Sequence, residues 1–202
     1  TQMIMKLDSS DVASTLNSLG YAPLIVSKKG RAKADLTWNG PPGEGMLYDS
    51  RGSFSFRVED GQVLNVQPGT GRLIGLLNFT SLPRRLSLDF RDVFDDGLGF
   101  DMLKGSFSLN EGQAYTCDVA LDGPATDMAI IGSSSFLDRE YNQLVVVRPQ
   151  VSNMLPLSTA VVAGPAAGAA AWLISSVFKD SLSGIGESYY RVLDDWDQPL
   201  ID

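Results

Sequence analysis

The side chains that most often carry out catalysis are nearly missing from this chain. It contains no histidine and one cysteine, Cys117. Without histidine there is no common general base and no imidazole that could activate a serine or cysteine nucleophile. One cysteine cannot form an intrachain disulfide or a paired-cysteine metal site, so Cys117 is expected to be a small buried side chain. The residue types therefore predict a protein that is not an enzyme, has no catalytic residues and carries no cofactor.

Two motifs resemble ligand sites but lack the order that such sites need. The glycines of segment 69–75 are misplaced for a dinucleotide loop, and no alternating strand-helix-strand pattern surrounds them, so a turn is predicted. The acidic residues that follow lack the alternating ligands and the final glutamate of a calcium loop, so no metal site is predicted. These acidic residues are Asp89, Asp92, Asp95, Asp96 and Asp101.

Arg84 and Arg85 are the candidates for contact with a phosphate-bearing head group, because guanidinium groups bind phosphate well. The alternative is that they pair with Asp89 or lie at the carboxyl end of a preceding helix, where positive charge is favourable. The second interpretation is favoured on the sequence.

Composition excludes further classes of protein. The 202 residues are 44% hydrophobic and 20% charged, which is typical of a globular chain, with a formal net charge of −8. An acidic chain is a poor ligand for a phosphate backbone, so nucleic acid is not an expected partner. The alternation of Met3, Met5 and Leu7 at the very start looks like a strand entered midway, and we expect the chain to be a fragment of a longer protein.

The first 150 residues have the pattern of antiparallel strands with short helices. Segment 8–19 predicts a short helix that ends at Gly20, and segment 71–82 predicts a second helix that ends at Pro83. Segment 31–38 alternates between apolar and polar side chains, and a strand is also expected over 86–90.

Three hairpins are predicted, the first two of them about 50 residues apart, which suggests a repeated unit. In the first, a three-residue loop at 59–61 would pair Phe56 with Leu64 and Phe54 with Val66. In the second, a loop at 110–112 would place Phe107 opposite Tyr115. A weaker third copy begins at Gly132 and returns through Leu144 to Val147.

Residues 149–178 carry no charge, and Pro165 suits the first turn of a helix over about 165–178. Three interpretations remain for this segment: a helix that covers the sheet, an element that seats in a membrane, or a full membrane span. The helix is short for a span, and Pro165 would kink a longer one. The apolar side chains of segment 149–178 that would cover the sheet or enter a membrane are Leu155, Leu157, Trp172, Leu173, Ile174, Val177 and Phe178.

Several motifs, in order along the chain, resemble the C-terminal region of YhdP-type members of the AsmA-like family, the bacterial bridge-like lipid transfer proteins. The resemblance covers about residues 52–199. It rests on Gly71-Arg72-Leu73-Ile74-Gly75-Leu76-Leu77, Leu82-Pro83-Arg84-Arg85-Leu86-Ser87-Leu88-Asp89-Phe90, Gly99-Phe100-Asp101, Gly123-Pro124-Ala125, Gly164-Pro165-Ala166-Ala167-Gly168, Tyr190-Arg191-Val192 and Trp196-Asp197-Gln198-Pro199.

The resemblance implies a Gram-negative periplasmic protein that is anchored in the inner membrane by a segment outside this chain. The family's sheet forms a trough with an apolar lining, which is thought to carry phospholipid from the inner to the outer membrane. This region would lie near the outer membrane. The resemblance brings no catalytic residues.

The expected fold is therefore mainly β with minor α: a curved antiparallel sheet of repeated hairpins, a taco-like trough, with a C-terminal apolar helix. Residues 1–150 would form the β region, 151–180 the apolar helical segment, which closes the trough or enters a membrane, and 181–202 a closing strand and tail. The alternative is a docking module that contacts an outer-membrane protein and binds no lipid. The lipid-facing candidates are Phe54, Phe56, Leu64, Val66, Phe107 and Tyr115.

Overall fold

The computed structural model describes residues 1–43, 45–64, 97–149 and 187–202. These residues form one curved, open antiparallel sheet of nine strands, and each strand pairs with the strand before and after it in the chain. The elements are β1 (Gln2–Ser9), α1 (Val12–Ser18), β2 (Ile25–Thr37), β3 (Arg51–Val63), β4 (Leu98–Asn110), β5 (Gln113–Asp122), β6 (Thr126–Ser135), β7 (Glu140–Pro149), β8 (Ser188–Asp195) and β9 (Leu200–Ile201). The predicted mainly β class and curved antiparallel sheet are confirmed.

The predicted helix near the start is present but shorter than expected. It begins after Asp11, whose Oδ1 accepts a hydrogen bond from the backbone N–H of Ser14 at 3.0 Å, the usual device for satisfying a first-turn donor. Ser9 is the last residue of β1. The helices predicted over 71–82 and 165–178, and the strand predicted over 86–90, lie outside the described residues.

One face of the sheet is apolar, and we call it the apolar face. In β2, Ala34 and Leu36 are buried while Lys33, Asp35 and Thr37 are exposed, which confirms the alternation predicted for this segment. Directly paired residues share a face in an antiparallel sheet. The pairs Met5–Ala34, Ala34–Phe54 and Phe54–Phe107 therefore place one row of apolar side chains across four strands.

The alternation of buried and exposed residues shifts by one residue at the same height in the neighbouring strands β2, β3 and β4. In β4 the buried positions Phe100 and Leu103 are three residues apart, and in β2 Ser27 and Gly30 have the same spacing. The slip lies at Asp60 of β3, which has a φ of 49°. The pairing register between β2 and β3 and between β3 and β4 is the same before and after this residue. A matching irregularity in each strand thus keeps one face apolar along the whole length of the strands.

The first predicted hairpin is wrong because this slip falls within it. Residues 59–61 do not reverse the chain, and β3 runs straight through them to Val63. Phe56 pairs with Gly105 rather than Leu64, and Phe54 pairs with Phe107. Gly61 is explained by packing rather than by a turn, since a Cβ there would lie 2.6 Å from the ring of Phe100.

The second hairpin is present with a register one residue away from the predicted one. Glu111 and Gly112 have φ values of 48° and 79°, which is the signature of a two-residue type I′ turn. The turn pairs Ser108 with Tyr115, so the predicted pairing of Phe107 with Tyr115 is wrong. Tyr115 consequently lies on the opposite face from Phe107 and is 49% exposed.

A β-bulge in β5 shifts the register against both neighbouring strands at Cys117 and Asp118. The Asp118 carboxylate accepts hydrogen bonds from the backbone N–H of Ser106 at 2.8 Å and from its hydroxyl at 2.7 Å. Cys117 is exposed, so its expected burial is wrong. Beyond the bulge the third predicted hairpin is confirmed, with Gly132 opposite Gln143.

Candidate functional site

The apolar face of the sheet is the candidate site, and three phenylalanines lie near its centre. Phe54, Phe56 and Phe107 have ring centroids 6.1 to 6.5 Å apart and nearly parallel planes. Such offset stacking is favourable beyond the apolar area that it buries. The three rings are held by β3 and β4, whose direct pairing fixes Phe54 against Phe107.

Gly105 leaves room for a side chain of β5 beside this aromatic cluster. It lies opposite Phe56, and a Cβ at this position would come within 2.5 Å of the Val119 side chain. Because glycine has no side chain, Val119 of β5 fits against β4 here. The aromatic cluster is thereby joined to the apolar side chains of the later strands.

Burial on the apolar face changes from one side of the sheet to the other. In the later strands it is complete, with Leu103, Ile130, Val145 and Val192 all at 0% exposure. In β1 and β3 several side chains remain half-buried, namely Met3, Met5, Leu7, Phe54 and Phe56. The part of this face that a small apolar molecule could contact therefore lies over β1 to β3, beside the half-buried rings of Phe54 and Phe56.

The opposite end of the sheet carries a second aromatic cluster. The Trp196 ring packs edge-on against Phe136, with centroids 6.0 Å apart, and it lies 6.0 Å from the Tyr141 ring. The Arg139 guanidinium lies 5.6 Å from the centre of the same indole, within range of a cation–π interaction. Burial raises the pKa of the Tyr141 phenol above its ordinary value.

The structure brings together three of the six predicted lipid-facing residues: Phe54, Phe56 and Phe107. Leu64 is half-buried just beyond the end of β3, and Tyr115 lies on the opposite face. Val66, the head-group candidates Arg84 and Arg85, and the apolar helical segment lie outside the described residues. That segment contributed Leu155, Leu157, Trp172, Leu173, Ile174, Val177 and Phe178 to the prediction.

The sequence interpretation missed residues that complete the face. Met5 of β1 and Ala34 of β2 join the row of Phe54 and Phe107, and Met3 lies on the same face opposite Leu36, although their alternation was visible. Leu103 was missed because the alternation slips just before it. The sequence signal that could have identified Leu103 is its spacing of three residues from Phe100, because apolar residues of a regular strand are spaced by two.

The arrangement can hold an apolar molecule by contact but offers no obvious reacting group. In the ranges that the structure describes, no three His, Cys, Asp or Glu side chains come close enough to hold a metal ion. Within the same ranges, no helix has the length and apolar character needed to cross a membrane.

Comparison with known proteins gives a consistent match along the chain. The model of the family described as YhdP protein matches residues 1–201. The intermembrane phospholipid transporter YhdP of Escherichia coli (strain K12) is 27% identical over 203 residues, a match that covers 100% of this chain. The chain spans 16% of the length of that relative. No solved structure gives a significant match.

Proposed function

This chain belongs to the YhdP protein family, and on that basis we propose that it is a lipid-binding segment of a longer protein that moves phospholipid between membranes. The family match covers nearly the whole chain, and the similar E. coli protein is named as an intermembrane phospholipid transporter. In this proposal the apolar face contacts the acyl chains and no covalent chemistry takes place.

The half-buried rings of Phe54 and Phe56 are the observation that carries the proposal. An acyl chain needs a continuous apolar surface that is open on one side, because its attraction to the protein is non-directional and grows with the area removed from water. Each methylene that is buried contributes about 0.8 kcal/mol. Met5 of β1 and Phe54 of β3 supply half-buried apolar surface on either side of the buried Ala34 in one row.

The wider setting is also part of the proposal. We place the longer protein in the periplasm of a Gram-negative bacterium, anchored in the inner membrane and delivering phospholipid to the outer membrane. This chain would be its C-terminal part, near the outer membrane. Arg84 and Arg85 stay candidates for head-group contact, and segment 151–180 stays a candidate for closing the trough or entering a membrane.

Native mass spectrometry with lipid extraction tests the proposal. The purified chain should carry phospholipid, and after delipidation it should take up added phospholipid. The variant Phe54→Gln/Phe56→Gln should lose most of this lipid, since it makes the accessible part of the face polar. The matched control Ser53→Gln/Ser55→Gln changes the same strand on its other face and should retain the lipid.

A docking module that binds no lipid is the second candidate, and a specific observation favours it. The apolar face is completely buried over the later strands, where Leu103 and Val145 have 0% exposure, as in a filled protein core. This candidate predicts a chain that is free of lipid after purification, takes up none, and is retained by an outer-membrane protein. Phospholipid bound at Phe54 and Phe56 would exclude it as the whole explanation.

A further inference from the structure

The polar face of the sheet holds a cavity of about 380 Å³ where β1, β2 and β3 meet beside the slip in alternation. We call it the basic cavity. Its charged lining consists of four cations and two carboxylates, Lys28, Lys29, Arg31, Arg57, Asp8 and Glu59. The whole chain has a formal charge of −8, so this local excess of positive charge is not a consequence of composition.

The cations are placed where they repel one another. Arg31 of β2 lies directly opposite Arg57 of β3, and Arg57 lies directly opposite Lys104 of β4. Like charges in directly opposed positions of a sheet destabilise it. The ion pairs of Arg31 with Asp8 and of Arg57 with Glu59 offset part of this repulsion, and a bound anion would offset more of it.

The existing ion pairs leave part of each guanidinium available. Arg57 uses Nε to contact Glu59 at 2.8 Å, and Arg31 uses Nε to contact Asp8 at 3.3 Å. Among the described residues, the terminal Nη atoms of both arginines make no hydrogen bond. These planar groups can donate two parallel hydrogen bonds to one oxyanion, a geometry that suits phosphate.

The two lysines of the cavity differ in their partners. Lys29 is paired with Asp60, which does not line the cavity, at 3.0 Å, and with Glu59, which does, at 3.9 Å. Lys28 is exposed and has no carboxylate partner in the part of the chain that the structure describes. Among the described residues, Lys28 therefore adds a positive charge that no ion pair offsets.

From this geometry we propose that the basic cavity binds a phosphate group, presented either as the head group of a phospholipid or as a free phosphate ester. The site is on the face of the sheet opposite Phe54 and Phe56. It is distinct from the predicted head-group residues Arg84 and Arg85. The inference does not depend on the proposed function, because it rests on the cavity and its charges alone.

Titration of the 202-residue chain with inorganic phosphate, followed by NMR of the arginine side-chain Nε–H groups, tests the site. Saturable shifts are expected at Arg31 and Arg57. In Arg31→Gln/Arg57→Gln the dissociation constant should rise about tenfold or more, since two charge-assisted contacts are lost. The control Lys6→Gln/Lys33→Gln removes the same charge from a directly opposed pair outside the cavity, and should change the constant by less than about threefold.

Lys28→Gln provides a second test that disturbs no observed ion pair, so it does not depend on the double variant folding normally. It should weaken phosphate binding more than Lys33→Gln does. The absence of saturable shifts in the natural chain would overturn the proposal. An equal loss in the two double variants would also overturn it, because that result describes diffuse attraction rather than a site.

Vesicle sedimentation then distinguishes the two sources of phosphate. Binding to phosphatidylglycerol vesicles that is lost in Arg31→Gln/Arg57→Gln, and retained in the lysine control, supports a lipid head group. Vesicle binding that is equal in all variants, together with a selective loss of inorganic phosphate binding, supports a free phosphate ester. A chain that binds vesicles through the apolar face alone shows no phosphate shifts, and that result overturns the site without affecting the proposed function.

Discussion

Phe54 of β3 lies directly opposite Phe107 of β4, with ring centroids 6.4 Å apart, yet the two rings differ in exposure. Phe107 is 2% exposed, whereas Phe54 is half-buried. Within this pair, the change from a filled to an accessible part of the apolar face therefore falls between Phe107 and Phe54. A substitution at one ring should act on folding, and a substitution at the other should act on binding.

Phe107→Ala is expected to lower the free energy of unfolding by about 3–5 kcal/mol, because a buried ring leaves a cavity that the sheet cannot fill. Phe54→Ala should cost less, since its ring is partly in solvent already. Urea denaturation measures both values. Tyr115→Ala, on the opposite face of the neighbouring strand, is the control and should cost less than about 1 kcal/mol. Equal costs for Phe107→Ala and Tyr115→Ala would contradict the assignment of faces.

Gly105→Ala is expected to destabilise the chain by about 1–3 kcal/mol through overpacking. The added Cβ would lie 2.5 Å from the Val119 side chain and 3.0 Å from its Cα. In a double-mutant cycle, Val119→Ala should relieve part of this cost, so that the two changes together cost less than their sum. Gly99→Ala in the same strand meets nothing within 4 Å and should be nearly neutral. Strict additivity of the cycle would show that the contact is not the cause.

Asp118→Ala is expected to cost about 1–3 kcal/mol, since it leaves the backbone N–H of Ser106 without its acceptor in a partly buried place. Hydrogen exchange should become faster at the Ser106 amide and little changed in β7. Thr116→Ala provides the comparison, because its hydroxyl is 3.4 Å from the same carboxylate and adds little. Unchanged exchange at Ser106 would mean that Asp118 does not hold the bulge.

Asp11 gives a prediction about pH. The backbone N–H of Ser14, and then its hydroxyl, hold the pKa of the Asp11 carboxyl below its ordinary value. A group whose pKa is lower in the folded state stabilises the fold above its unfolded pKa of about 3.9, and this contribution is lost as the pH falls through the folded pKa. The difference in stability between the natural chain and Asp11→Ala should therefore shrink as the pH falls below about 3.9.

Urea denaturation between about pH 2 and pH 6 measures this difference. Asn17→Ala is a suitable control, since it changes an exposed side chain of the same helix that carries no ionisable group. A stability difference for Asp11→Ala that stays constant down to pH 2 would contradict the charged cap.

The sequence predicted the sheet well where alternation is regular and poorly where it slips. Segment 31–38 alternates without interruption, and the exposed and buried sides of β2 follow it. In β3, Asp60 and Gly61 have the composition of a turn, and local composition cannot show that Gly61 makes room for Phe100 of another strand. The loop at 59–61 was therefore mistaken for a chain reversal.

The sequence predicted aromatic residues of the candidate site but not which residues of other strands lie beside them. Phe54, Phe56 and Phe107 were identified, because aromatic residues at alternate positions mark one face of a strand. Tyr115 was assigned to their face because the predicted register was wrong by one residue. The two-residue turn at Glu111 and Gly112 was not recognised, because it lacks the Asn-Gly or Asp-Gly pair that is typical of such turns. The basic cavity depends on pairing between strands far apart in sequence and had no local signal.

Site-specific photocrosslinking along β3 tests the central claim most directly. A photoreactive phenylalanine derivative is placed in turn at Phe54, Phe56, Ser53 and Ser55, and the purified chain is irradiated with phospholipid vesicles before mass spectrometry. We predict phospholipid adducts at positions 54 and 56 and few or none at 53 and 55, because adjacent residues of a strand face opposite sides. Adducts at all four positions in equal amounts, or at none of them, would contradict a lipid-binding apolar face.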